Sequence, residues 1–261
     1  MSRTARQESR SGYYHVILRG NNKSWITQKD VYKTKLIELL KQQENEECLI
    51  QLLAWCIMDN HVHIVLKSSI NDMSLAMKKI NTKFAMYYNK KENMIGHVFQ
   101  DRFKSEPIDT DEYLIEVIRY VHNNPVKAKI VKKPQEYKWS TYNAYIKQKF
   151  ITHQMQFVLN YFNNNIQRFE AFHLKTSDKE YLEIKEDVEK YRLEKAEVII
   201  EKYLRDNNAN TLLELKKDTD KEHFLITELL KKSGLSLRKI SSLTGISYAK
   251  VQKRYQAIDL Q

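Results

Sequence analysis

The stretch from residue 49 to residue 67 constrains the fold more than any other. Two apolar runs, LIQLLAWCI and HVHIVLK, are separated only by MDN. Both are rich in Val, Ile, Leu and aromatic residues, and so short a link joins antiparallel strands. A β-hairpin is therefore expected over 49–67. It needs further strands to be stable, and YYHVILR at 13–19 and VFQDRFKSEPI at 98–108 supply candidates. Between them, 30–43 opens on an Asp and spaces its apolar residues helically, as do 72–90 and 111–122. NNP is expected to end the last of these at residue 122.

The order β-α-β-β-α-β-α predicts an α+β fold, a ferredoxin-like antiparallel sheet with helices on one face. Charge divides the 261 residues into three. Residues 1–150 carry a net +9, residues 151–222 a net −3 and residues 223–261 a net +5. The reading is a core domain at 1–150, a helical connector at 151–222 and a basic three-helix unit at 223–261. In that unit LSLRKISSL, TGI and SYAKVQKRYQAI have the pattern of a helix-turn-helix, with Lys250, Lys253 and Arg254 on the last helix. A basic face on a protein-docking bundle is the competing reading.

The overall charge of +11 points to a polyanionic partner, nucleic acid above all. No run of 18 apolar residues is present, so no membrane helix is expected. The first residues lack the apolar stretch of a secretory signal, and Cys48 and Cys56 form no CxxC pair. A cytoplasmic, nucleoid-associated chain is expected.

Three groups of residues could carry chemistry. His61 and His63 are two apart on a strand, so both imidazoles project from one face. They form either a platform for a metal or a pair of structural histidines. Tyr120 and Asn124 are one helical turn apart and share a face, while His122 points about 200° away from Tyr120. A tyrosine hydroxyl can attack phosphorus, although packing is the usual role of one tyrosine among 16. Arg10, Tyr14, Arg19, Lys83, Arg102 and Lys104 interleave cations with an aromatic, a composition suited to single-stranded DNA.

The strings GYYHVILRGNNK, LAWCIMDNHVHIVL, INTKFAMYYNKK, GHVFQDRFKS, YLIEVIRYVHNNPVKAKIV and WSTYNAY occur in this order. In order and spacing, residues 10–145 resemble the single-tyrosine HUH transposases, in particular the REP-associated tyrosine transposases. The resemblance implies an HUH endonuclease core that cuts and rejoins single-stranded or hairpin DNA through a 5′-phosphotyrosine. It implies Tyr120 as nucleophile and His61, His63 and Asn124 as ligands of Mg²⁺ or Mn²⁺. It implies a homodimer in which the tyrosine helix of one copy lies over the metal of the other. A DNA-binding regulator that keeps the fold without catalysis is the alternative. Asp59 departs from the family pattern and is placed to add charge beside the histidines. The helix-turn-helix lies outside the resemblance and is expected to bind duplex DNA.

Overall fold

The computed structural model describes residues 6–149, 151–175, 185–207, 209, 211–215 and 219–259. The chain forms two compact units, Met1–Leu182 and Glu183–Gln261.

The first unit is built on a four-stranded antiparallel sheet. Its strands are β1 (Tyr13–Arg19), β2 (Gln51–Ile57), β3 (His61–Lys67) and β4 (Lys104–Ile108), in the spatial order β2-β3-β1-β4. The expected hairpin is β2–β3. The α+β class and the antiparallel sheet are as the sequence predicts. The layering differs, because helices cover both faces.

Alternation along the strands explains this. Tyr14, Val16, Leu18, Val62, Ile64 and Leu66 point to one face and pack with helices α1 (Asp30–Asn45) and α2 (Ile70–Glu92). Tyr13, Ala54, Cys56 and Val65 point to the other and pack with α3 (Asp111–Lys127). Nearly every position of β1 and β3 is buried. An antiparallel strand exposed on one face would alternate polar residues with apolar ones; these two do not, so both faces need cover.

Register then decides which side chains meet. Ile17 is opposite His63, Arg19 opposite His61, and Cys56 opposite His63 from the other side. The histidines thus share the α3 face with His15, and a slip of one residue would turn them to the α1/α2 face.

Helix α3 starts where expected. Thr110 accepts the Tyr113 N–H, and Asp111 and Glu112 lie in the first turn, where the helix dipole favours anions. It does not stop at residue 122. Pro125 lies inside its last turn, and the Ala128 N–H closes that turn on the Asn124 carbonyl. Pro125 removes one backbone donor, but the helix continues through Asn124 and keeps it on the face of Tyr120.

The segment 151–222 is not one connector. Helices α5 (His153–Tyr161) and α6 (Ile166–His173), which follow the short α4 (Tyr142–Lys147), bury Met155, Val158, Leu159 and Phe169 in the first core. Helix α7 (Lys185–Asp206) instead packs Ala196 and Ile200 into the core of the second unit. Apolar residues on each part find different partners, which the net charge of the segment could not reveal. Residues 176–184 lie outside the described residues.

In the second unit, after α8 (Leu212–Leu215), helices α9 (Thr219–Lys232), α10 (Leu237–Thr244) and α11 (Tyr248–Asp259) surround Leu225, Ile226, Ile240, Ile246 and Val251. Ser236 caps α10, and Gly245 ends it at φ 65°, a left-handed conformation that glycine adopts without steric cost. The Ser241 hydroxyl donates to the Ile246 carbonyl across this turn, 2.7 Å away.

Candidate active site

The α3 face of the sheet gathers His15, His61 and His63 beneath Tyr120 and Asn124. All five are buried. His63 is the hub. Its Nδ1 is 2.9 Å from His15 Nε2, and its Nε2 is 3.1 Å from the Asn124 amide nitrogen. The same Asn124 nitrogen donates to the Tyr120 hydroxyl at 3.3 Å. The His63 and Tyr120 rings meet edge to face with centroids 5.4 Å apart, and His61 lies 5.0 Å from His63 at a right angle. The sequence-derived trio of two histidines and a tyrosine with its i+4 amide is therefore one cluster. It forms within a single chain.

Burial holds the His15 and His63 imidazoles neutral. His15 is pushed down to about 3 by desolvation. His63 is held well below the ordinary histidine range by desolvation first, then by the nearby His61, His15 and Lys127. A neutral imidazole keeps a lone pair, the form in which histidine binds metal.

The residues fit a divalent ion by the chemistry of their donors. Each histidine of the pair has its Nδ1 engaged by a neighbour, His61 by Asn60 Oδ1 at 2.7 Å and His63 by His15. Contacts of that kind orient metal-binding imidazoles. Asn124 adds an amide. Among the described residues, no three His, Cys, Asp or Glu side chains form a metal site; the donors gathered here are two imidazoles and an amide.

Residues 8–124 match the family of IS200-like transposases. Those residues lie within the first unit and carry its similarity to that family. The match reaches Asn124 and so spans all five residues of the cluster. A REP-associated tyrosine transposase of Haemophilus influenzae is 24% identical over 160 residues, 56% of this chain and 89% of the relative. Among solved structures, one of a REP-associated tyrosine transposase bound to a REP hairpin aligns with a TM-score of 0.46 and 18% identity, covering 56% of this chain and 86% of that one. A transposase from Deinococcus radiodurans aligns at 0.30 and 16%, covering 47% and 95%. The assignment rests on the sequence matches.

Other expected residues of the first unit fall in different places. Arg19 and Lys104 are cross-strand neighbours of His61 and Ile17, so they share the face of the cluster. Arg10 is exposed, with its backbone N–H on Asp109. Lys83 is exposed on α2 and donates to Gln42 at 3.0 Å. Arg102 lines a groove of about 840 Å³ beside α2, with Arg6, Lys78, Met86, Phe99 and Phe103. The Arg6 guanidinium sits 3.9 Å over the Phe103 ring.

Two expectations are corrected. Tyr14 is 1% exposed, and its hydroxyl accepts the Ser9 N–H. It is a core residue of the α1/α2 side and unavailable to stack on bases; β1 is buried on both faces, so its aromatic residues cannot reach solvent. Asp59 does not charge the histidine cluster. Its carboxylate pairs at 2.6 Å with Lys33, a side chain only 6% exposed, and ties the hairpin turn to α1.

The sequence reading missed His15 and Lys127. A lone histidine inside YYHVILR was the available signal for the first. Lys127, seven residues after Tyr120, lies on the same helix with its Nζ 5.3 Å from the Tyr120 ring centroid. In the second unit, Lys250 pairs with the buried Glu222 at 2.8 Å and Arg254 donates to Thr227 at 2.8 Å. Lys253 is exposed on α11. Among the described residues, no helix is long and apolar enough to cross a membrane.

Proposed function

We propose that this transposase unit is a single-tyrosine endonuclease and strand transferase for single-stranded or hairpin DNA. The observation that carries the reading is the Tyr120–Asn124–His63 chain of contacts within one copy. The Tyr120 oxygen attacks the scissile phosphorus and the bond to the 3′ oxygen breaks. A 5′-phosphotyrosine forms, the tyrosine proton is released, and the departing strand gains a 3′-OH. The new ester conserves the bond energy, so a 3′-OH can later attack it and rejoin the strands. His61, His63 and Asn124 would hold Mg²⁺ or Mn²⁺, which when bound supplies Lewis-acid stabilisation to the phosphate. Asn124 orients the Tyr120 hydroxyl, Lys127 adds positive charge beside its ring, and Arg19 and Lys104 neutralise the approaching backbone. Arg6, Lys78 and Arg102 with Phe99 and Phe103 offer cations and aromatic rings to a single-stranded flank.

Labelled hairpin DNA incubated with the protein and Mn²⁺ should give a covalent adduct on a denaturing gel. Hairpin binding without an adduct would leave a regulatory DNA-binding protein. The reading extends to a homodimer, each copy with a complete site and one strand end, which sedimentation of the DNA complex tests. It also gives α11 a duplex-binding role. Lys253 is exposed on α11, whereas Lys250 and Arg254 also hold α9. Lys253→Ala should lower the salt dependence of duplex binding by about one slope unit per lost phosphate contact.

A further inference from the structure

His15 is fully buried in β1, yet a histidine has no packing advantage over the Val and Ile around it. Its ring stacks on His63 at 5.2 Å and 25°, and only one proton can lie between the two facing nitrogens. Two arrangements satisfy that contact, with His15 as donor or as acceptor.

The far side of the ring separates them. His15 Nδ1 faces a Glu106 carboxylate oxygen at 4.0 Å, and the other oxygen of Glu106 accepts the Tyr113 hydroxyl at 2.9 Å. At 4.0 Å the carboxylate lies beyond hydrogen-bond reach, and Nδ1 has no hydrogen-bond partner among the described residues; the negative charge of the carboxylate alone favours the single proton of His15 on Nδ1. His15 Nε2 is then bare and accepts. His63 must donate from Nδ1 and carry its lone pair on Nε2, the atom that faces the Asn124 amide N–H at 3.1 Å. Each contact along Tyr113, Glu106, His15, His63 and Asn124 agrees with one proton arrangement.

We propose that His15 is a positioning residue: its Nε2 holds His63 in the Nδ1–H tautomer and turns the His63 Nε2 lone pair to the place where a divalent cation would bind. The cation half of this inference rests on the proposed function; the tautomer half does not.

Long-range ¹H–¹⁵N spectra of the full chain labelled on histidine nitrogens, recorded without metal, should show His63 protonated on Nδ1. In His15→Phe, which keeps a ring and removes the acceptor, that tautomer should lose its dominance. Mn²⁺ affinity by titration calorimetry should then fall roughly 10- to 100-fold. His15→Gln, whose side-chain oxygen can accept the same proton, should recover most of both. An Nε2–H tautomer of His63 in the wild type overturns the inference, as does His15→Phe with unchanged tautomer and affinity. If His15→Phe does not fold, His15→Gln decides: retention of the Nδ1–H tautomer supports the role, its loss removes it. A wild-type chain with the expected tautomer but no Mn²⁺ binding supports the positioning role and rejects the metal reading.

Discussion

Helix α3 packs over one buried histidine pair, between β1 and β3, and contributes His122 to a second that looks like it. His15 and His63 are 2.9 Å apart with rings at 25°, and His122 and His173 are 3.0 Å apart with rings at 29°. Burial depresses the basicity of all four. The difference lies in what surrounds them. His122 has Thr141 on its other nitrogen at 2.9 Å, and His173 gives its Nδ1–H to the Phe169 carbonyl at 2.8 Å. Tyr142, Tyr145 and Phe169 enclose that pair. Every ring nitrogen there ends on the protein itself, which makes the pair a clamp between α3, α4 and α6. The His63 ring leads instead to an amide, a tyrosine hydroxyl and a second imidazole. Burial and a shifted pKa do not identify chemistry; a reactive group at the end of the chain of contacts does.

The largest test of this contrast is Tyr120→Phe. It removes one oxygen and keeps the ring, so it should abolish the covalent adduct while hairpin binding stays within a few-fold. An adduct that persists would sink the distinction between the two clusters.

Next comes a crossed pair of substitutions. His61→Ala and His63→Ala should each remove metal-dependent cleavage, and EDTA should reproduce that loss in the wild type. His122→Phe should leave cleavage intact below its melting temperature. It should lower stability by about 1–3 kcal/mol, since Thr141 and His173 lose a buried partner. Thermal melts beside cleavage assays read both axes, and equal losses of activity would break the comparison.

The clamp also predicts a pH dependence. His173 is depressed to about 4 by burial, so from roughly pH 6.5 down to that value the unfolded state binds a proton that the folded state refuses. Stability should therefore fall as pH falls through this window, by at most about 1.4 kcal/mol per unit for each such histidine. Urea titrations at pH 7 and pH 5 should show a smaller drop for His173→Phe than for the wild type. Equal drops would place the titration elsewhere.

The smallest effect sets the edge of the reactive cluster. Asp59 lies two residues before His61 but is paired with Lys33. Asp59→Asn should cost about 1 kcal/mol of stability and leave the Mn²⁺ dependence of cleavage unchanged. A shifted metal requirement would extend the cluster to the hairpin turn.

What was legible in the sequence was local. The β2–β3 hairpin, the shared face of His61 and His63, and the one-turn spacing of Tyr120 and Asn124 follow from strand and helix periods, which act over a few residues. Even the end of α3 was misjudged only because the turn around Pro125 closes on Ala128. The partners of those residues were not legible. His15 is 48 residues from His63, and His122 is 51 from His173. No local period relates positions so far apart. Strand register and the packing of α4–α6 bring them together, and the same packing covers both sheet faces and divides the 151–222 segment. By itself, the sequence singled out His61, His63, Tyr120 and Asn124 and determined which way each faces along its own element. Only the tertiary structure decided that His15 meets His63 while His122 is closed off, because those contacts exist only once distant apolar faces have been buried against one another.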